Sequence, residues 1–256
     1  MLIRNFNKFT ILLVLAQLCQ ACGLLPNFNS DSMSNDEKAI LYMQMGTRYL
    51  AMDKLDIAKE SLDKAMRLDS GNADIHNAMG SFYERIKEYD DAEKSYRTAV
   101  RKAPDNFNIK ANFGRFLCER ANYKPGMELL KEAVDQPMNN HQWFAYTGLG
   151  VCYYNQNDLI NAETNFRQAL LMKPDFAPAL LEMQKISYQN HQYLSARAFL
   201  ERYLSVAQHT PETLWIAFQT ERSLDNTSSA EEYADLLFKN FPASKEAVEI
   251  KSTLGR

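Results

Sequence analysis

This chain is poor in the residues from which catalytic centres are usually built. It has four histidines in 256 residues, His76, His141, His191 and His209, and no two stand at i, i+4. No HExxH, GxSxG or GxxxxGK string occurs, so there is no zinc-protease pair, no nucleophile elbow and no phosphate-binding loop. Neighbouring acids such as Asp90 and Asp91, or Glu231 and Glu232, fall on faces predicted to be exposed, where carboxylates are ordinarily solvated helix charges. The expectation is a protein that is not an enzyme, with no cofactor, no metal site and no small-molecule substrate. A surplus of positive charge is lacking too. Lys and Arg number 29 against 32 Asp and Glu, a net charge of −3 with no basic cluster, which argues against nucleic acid. Glycine and proline are scarce, nine and eight, and recur at fixed places instead of marking a linker to a second domain.

Those fixed places are the main content of the chain. One pattern recurs six times at a spacing of 34 residues, with a single two-residue insertion near Asn139 to Gln142. The units are 39–72, 73–106, 107–142, 143–176, 177–210 and 211–244, followed by a C-terminal capping helix in 245–256. In the second unit Gly80 and Tyr83 lie in the first half, Ala92, Tyr96 and Ala99 in the second, and Pro104 closes it. Gly46, Gly114 and Gly150 repeat the first of these positions, but the fifth and sixth units have Gln184 and Phe218 there. His76, Met79, Gly80 and Tyr83 stand at i, i+3, i+4 and i+7, one face of a helix. Ala92, Tyr96 and Ala99 predict a second helix, which proline cannot continue. Small residues at the crossings let the two backbones approach, and the large slots fill the space beside them. Asn226, ahead of the last unit's second helix, has the form of a helix cap. The pattern resembles the tetratricopeptide repeat, a helix–turn–helix unit of 34 residues. That resemblance implies an all-α, right-handed superhelical solenoid of six units, whose stability sums over neighbours.

The first 21 residues do not belong to the repeats. Arg4 and Lys8 precede an apolar stretch, Phe9 to Leu18, that is too short to span a bilayer. This is the form of a secretory signal, and removing it would move the net charge from −3 to −5. Ala21-Cys22-Gly23 resembles a bacterial lipobox, which implies that Cys22 becomes acylated; an ordinary cleaved signal ending near Ala21 is the alternative. Lipoproteins of this class with no Asp after the cysteine are sorted to the outer membrane. Residues 22–38 then read as a lipidated N-terminus and a tether rich in Asn, Ser and Asp.

Of the four cysteines, Cys19 leaves with the signal and Cys22 takes lipid, so Cys118 and Cys152 remain in an oxidising compartment. Both fall near the end of a first helix, in neighbouring units. Helix axes stand about 8–10 Å apart and a bridge needs Cα atoms within about 7 Å, so geometry decides between a disulfide and two buried thiols. The bridge is the expectation.

Binding is the remaining role. In these solenoids the first helices line a concave groove, and in the first unit its slots hold Ile40, Met43, Thr47, Leu50 and Ala51. Exposed apolar surface of this kind suits an amphipathic helix or apolar segment of a partner. Further along the slots turn polar, with Asp74, Asn77, Ser81, Glu84 and Arg115, and then aromatic, with Phe144, Tyr154, Tyr188 and Trp215. Met43 and Thr47 stand where a carboxylate clamp would need Lys and Asn.

Lipobox, tether and six repeats together resemble the type IV pilus biogenesis and stability lipoproteins, or pilotins. Ala111-Asn112-Phe113-Gly114 with Cys118, and Gly148-Leu149-Gly150 with Cys152, strengthen the likeness. The resemblance implies an outer-membrane lipoprotein, on the periplasmic face, that binds secretin subunits and promotes their localisation and multimerisation. The groove residues Ile40, Met43, Thr47, Leu50, Ala51 and Asn77 are the expected partner-binding set. A general periplasmic scaffold for envelope or peptidoglycan-associated assembly fits the repeats as well.

Overall fold

The computed structural model describes residues 33–136 and 139–255. The signal segment, Cys22 and the tether as far as residue 32 lie outside the described residues. Within them the chain forms thirteen α-helices and no strand. Six antiparallel pairs follow one another: α1 (Asn35–Ala51) with α2 (Leu55–Leu68), α3 (Ala73–Arg85) with α4 (Tyr89–Lys102), and α5 (Phe107–Glu119) with α6 (Tyr123–Val134). Then come α7 (Gln142–Asn155) with α8 (Leu159–Met172), α9 (Ala177–Gln189) with α10 (Tyr193–Leu204), and α11 (Pro211–Ser223) with α12 (Thr227–Asn240). The helix α13 (Lys245–Leu254) packs on α11 and α12 and closes the stack. Each pair packs most closely on itself. Each second helix also meets the next first helix, and first helices meet one another.

The turn inside each pair is the same six times. Asp53, Lys87, Ala121, Asn157, His191 and Asp225 all have left-handed backbone, with φ between 56° and 65°. The amide after each of them donates back to the carbonyl five residues earlier, as in Lys54 to Tyr49, Glu88 to Tyr83 and Asn122 to Leu117. This caps the first helix without a side chain and reverses the chain in three residues. Between units, side chains do the capping. Asn72 accepts from the amides of Asp74 and Ile75, and Asn106 from those of Asn108 and Ile109.

The first helix begins earlier than the repeat count places it. Ser34 and Glu37 form a reciprocal capping box, so Asn35 to Lys38 are the first turn of α1 and not tether. Ala39, at the start of the counted unit, is fully buried.

The core runs along the seam between the two helix layers. Glycine recurs on the first helices because there is no room for a side chain. A Cβ on Gly46 would stand 2.6 Å from Leu62 Cγ, one on Gly80 2.7 Å from Tyr96 Cδ1, and one on Gly150 2.5 Å from Phe166 Cε1. The two units without this glycine solve the problem differently. Gln184 is 1 % exposed, and its Oε1 has no hydrogen-bond partner among the described residues. Phe218 shares a cluster with the small Ala234. The insertion of the third unit is organised by two amides. Asn139 Nδ2 donates to Ala133 O at 2.7 Å, and Gln142 Nε2 donates to Val134 O at 2.7 Å.

Candidate functional site

The first helices α1, α3, α5, α7, α9 and α11 line one continuous face in three chemically different sections. At the N-terminal end Thr47, Leu50 and Ala51 border a depression with Ser81, Glu84 and Arg115. The middle section is apolar, with Phe144, Val151, Phe176 and Leu181 between Arg115 and Glu119 on one side and Glu182 on the other. The C-terminal section brings Tyr154, Tyr188 and Trp215 together with Lys185, Glu212 and Glu249.

The residues singled out in the sequence are not equally available. Ile40 is 40 % exposed. Met43 and Leu50 are half-buried and pack on the cluster that contains Ala58, Leu62, Met79 and Phe82, so only part of each side chain faces outward. The Thr47 hydroxyl donates to its own helix, at Met43 O. Ala51 is exposed beside Leu50. Asn77 is engaged within the stack, its Oδ1 accepting from Asn112 Nδ2 at 3.1 Å. The exposed apolar surface of α1 also includes Leu41 and Met45.

Periodicity did not reveal the charged network that separates the first two sections. The Arg115 guanidinium donates to both oxygens of Glu84 at 2.8 Å and to Glu119 at 2.6 Å. The Tyr96 hydroxyl donates to Glu84 Oε2 at 2.8 Å and lies 3.0 Å from Ser81 Oγ. Burial and the nearby Glu84 charge hold the Tyr96 proton far above the usual phenol range. Burial opposes the charge on Arg115, but its bonds to Glu84 and the charge of Glu119 outweigh that and raise its pKa. A bidentate pair of this kind fixes the relative position of the second and third units. A second bridge lies further along, where Lys185 is 3.0 Å from Glu182 and 2.9 Å from Glu212. Burial raises the pKa of Glu182, opposed by the charge of Lys185. Opposite charges on groove slots of successive units were the available signal for both bridges.

Behind the groove Cys118 and Cys152 are joined by a disulfide, with Cα atoms 5.0 Å apart. It links α5 to α7, where the contact between successive first helices is most extensive. Gly126 stands where the other units have alanine, and a Cβ there would meet Cys118 Sγ at 2.6 Å. That glycine makes space for the bridge. Among the described residues no group of three His, Cys, Asp or Glu side chains could hold a metal ion, and no helix is long and apolar enough to cross a membrane.

This arrangement offers shape, apolar surface and fixed charge, the properties of a protein-binding scaffold. Residues 43–107 and 145–176 match tetratricopeptide-repeat families. The type IV pilus assembly protein PilF of Pseudomonas aeruginosa is 24 % identical over 217 residues, 85 % of this chain and 86 % of that one. An uncharacterized protein of Haemophilus influenzae is 24 % identical over 127 residues, half of this chain and 71 % of its own. The crystal structure of PilW, described as a widely conserved type IV pilus biogenesis factor, superimposes with a TM-score of 0.69 at 26 % identity, over 83 % of this chain and 97 % of that one. The structure of P. aeruginosa PilF does so with a TM-score of 0.68 at 24 % identity, over 86 % and 99 %. The chain is a tetratricopeptide-repeat protein homologous to PilF and PilW, two proteins of type IV pilus biogenesis.

Proposed function

We propose that this protein acts in type IV pilus biogenesis as a pilotin. In this reading it is a lipoprotein anchored through acylated Cys22 to the periplasmic face of the outer membrane. It binds secretin subunits and promotes their localisation and multimerisation there. The observation that carries the reading is homology to two pilus-biogenesis proteins along nearly the whole repeat array, in a chain whose N-terminus resembles a lipobox. The lipid supplies the membrane address, and the groove supplies the grip on the partner. Ile40, with the outward parts of Met43 and Leu50, offers apolar contact at the end of the stack nearest the anchor.

The deciding experiment replaces Cys22 with Ser and measures secretin multimers in separated inner and outer membranes, beside a full deletion. Multimers that vanish or move to the inner membrane in the Cys22 variant support the pilotin reading. Multimers unchanged in both strains reject it and favour a scaffold for another envelope assembly. The grip is tested separately, since Met43→Glu should weaken secretin binding while helical content stays intact.

A further inference from the structure

The C-terminal section of the groove holds a cluster that the reading above does not use. Tyr154 of α7, Tyr188 of α9 and Trp215 of α11 line a depression of about 300 Å³ with Lys185, Glu212 and, from α13, Glu249. Each of these aromatics keeps part of its surface open. Tyr154 packs on the cluster that contains Leu180 and accepts from Gln189 Nε2 at 2.7 Å, and Trp215 packs on the cluster that contains Leu214 and Phe218, yet all three are only half-buried. Tyr188 and Trp215 are half-buried and meet edge to face, with ring centres 6.2 Å apart. The Trp215 indole N–H has no acceptor among the described residues.

The charges around these rings are unbalanced. Lys185 is already divided between Glu182 and Glu212. Lys245 is 92 % exposed and approaches Glu246 only to 3.7 Å, a contact worth little in water. Glu249 is exposed and forms no ion pair among the described residues. It lies within electrostatic reach of Tyr188, whose phenol pKa is raised first by burial, then by Tyr193, with Arg222 opposing and this carboxylate adding to the rise. The depression therefore combines aromatic faces, an apolar wall that includes Ile216, and three carboxylates against two lysines, with Glu249 in no ion pair among the described residues. Negative charge beside aromatic faces is the chemistry that holds a cation.

We propose that this end of the groove is a second protein-docking site, which takes a partner segment presenting a lysine or arginine next to an apolar side chain. Charge selects that occupant. An acidic segment would meet Glu212, Glu246 and Glu249, and a wholly apolar one would leave Glu249 without a counter-ion. The proposal requires only this segment chemistry, whichever protein supplies it, and it concerns the end of the stack opposite Met43.

The test uses the two tryptophans, Trp143 and Trp215, as separate reporters. Indole resonances of the ¹⁵N-labelled protein are followed while the peptides Ac-Leu-Arg-Leu-NH2 and Ac-Leu-Glu-Leu-NH2 are added. The arginine peptide should shift Trp215 saturably and leave Trp143 in place, and the glutamate peptide should bind at least about tenfold more weakly. Glu249→Lys, an exposed change that leaves the core alone, should weaken the arginine peptide about fivefold or more, whereas Asp56→Asn on α2 should not. Equal responses to the two peptides, no saturable shift of Trp215, or unchanged affinity in Glu249→Lys would each overturn the proposal. Met43→Glu should leave peptide binding unchanged, so this site and the secretin reading can fail independently.

Discussion

Phe218 and Ala234 exchange the sizes that four other units assign to their positions. In those units a glycine on the first helix lies against Leu62, Tyr96, Leu130 or Phe166 on the second. In the sixth unit the ring comes from the first helix, Ala234 makes room for it, and both residues are buried in one cluster.

The exchange predicts a pair of coupled substitutions. Phe218→Gly empties the core and should cost about 4 kcal/mol or more. Ala234→Phe alone overfills it and should cost about 1–3 kcal/mol. The double variant restores the arrangement of the other units, so its loss should fall short of the sum by about 1–3 kcal/mol. Urea denaturation of the four proteins measures this, and simple additivity would mean that the two positions are not a matched pair.

The disulfide closes a loop of 34 residues. Cross-linking a loop of that length removes unfolded-state entropy equivalent to about 4 kcal/mol in the chain-entropy account. Replacing Cys118 and Cys152 together with alanine should lower stability by about 2–4 kcal/mol, and a reductant should then have no further effect. Intact-mass analysis of the wild-type protein should find no free thiol at either position. A reductant that leaves wild-type thermal unfolding unchanged would contradict a stabilising bridge.

Ala121 sits in the third unit's turn with φ of 61°, where a Cβ is unfavourable. Ala121→Gly relieves that contact and gives back part of the gain through a more flexible unfolded chain. A net stabilisation of about 1 kcal/mol is expected, with the groove unchanged. Ala121→Val should destabilise instead, since a β-branched residue fits this backbone worst. Thermal melts of the two variants should therefore move in opposite directions.

His209 is partly buried, and its ring stands edge-on to Tyr233 at 5.9 Å. Burial lowers its pKa from the ordinary 6.5. A histidine that is harder to protonate when folded contributes stability that is full above pH 6.5 and is lost as pH falls through the folded value. Stability should therefore decline on acidification below about pH 6.5, and His209→Gln should flatten that part of the curve. A decline of equal size in the variant would assign it to other groups.

The sequence by itself determined the class of this protein and the order of its parts. Thirty-four-residue periodicity, glycine at the crossings and proline after the second helices reflect local constraints, and the helices run between those marks. The left-handed turn carried no glycine to mark it; Asp53, Asn157, His191 and Asp225 are residue types that tolerate this backbone, but Lys87 and Ala121 give no local signal for it. Their conformation is imposed by the packing of the two helices they join. The start of α1 was missed by four residues because Ser34 and Glu37 lie before the repeat begins, yet cap its helix.

Tertiary structure alone decided which polar residues of the groove face one another. Glu84 and Arg115 are 31 positions apart and meet only because successive units stack with a particular offset. The same stacking turns much of Met43 and Leu50 inward and leaves Tyr188 and Trp215 half-open. It also brings Cys118 and Cys152 close enough to bond. Helix periodicity specifies the face on which a side chain lies, but distances between faces are set by the volumes packed between the helices.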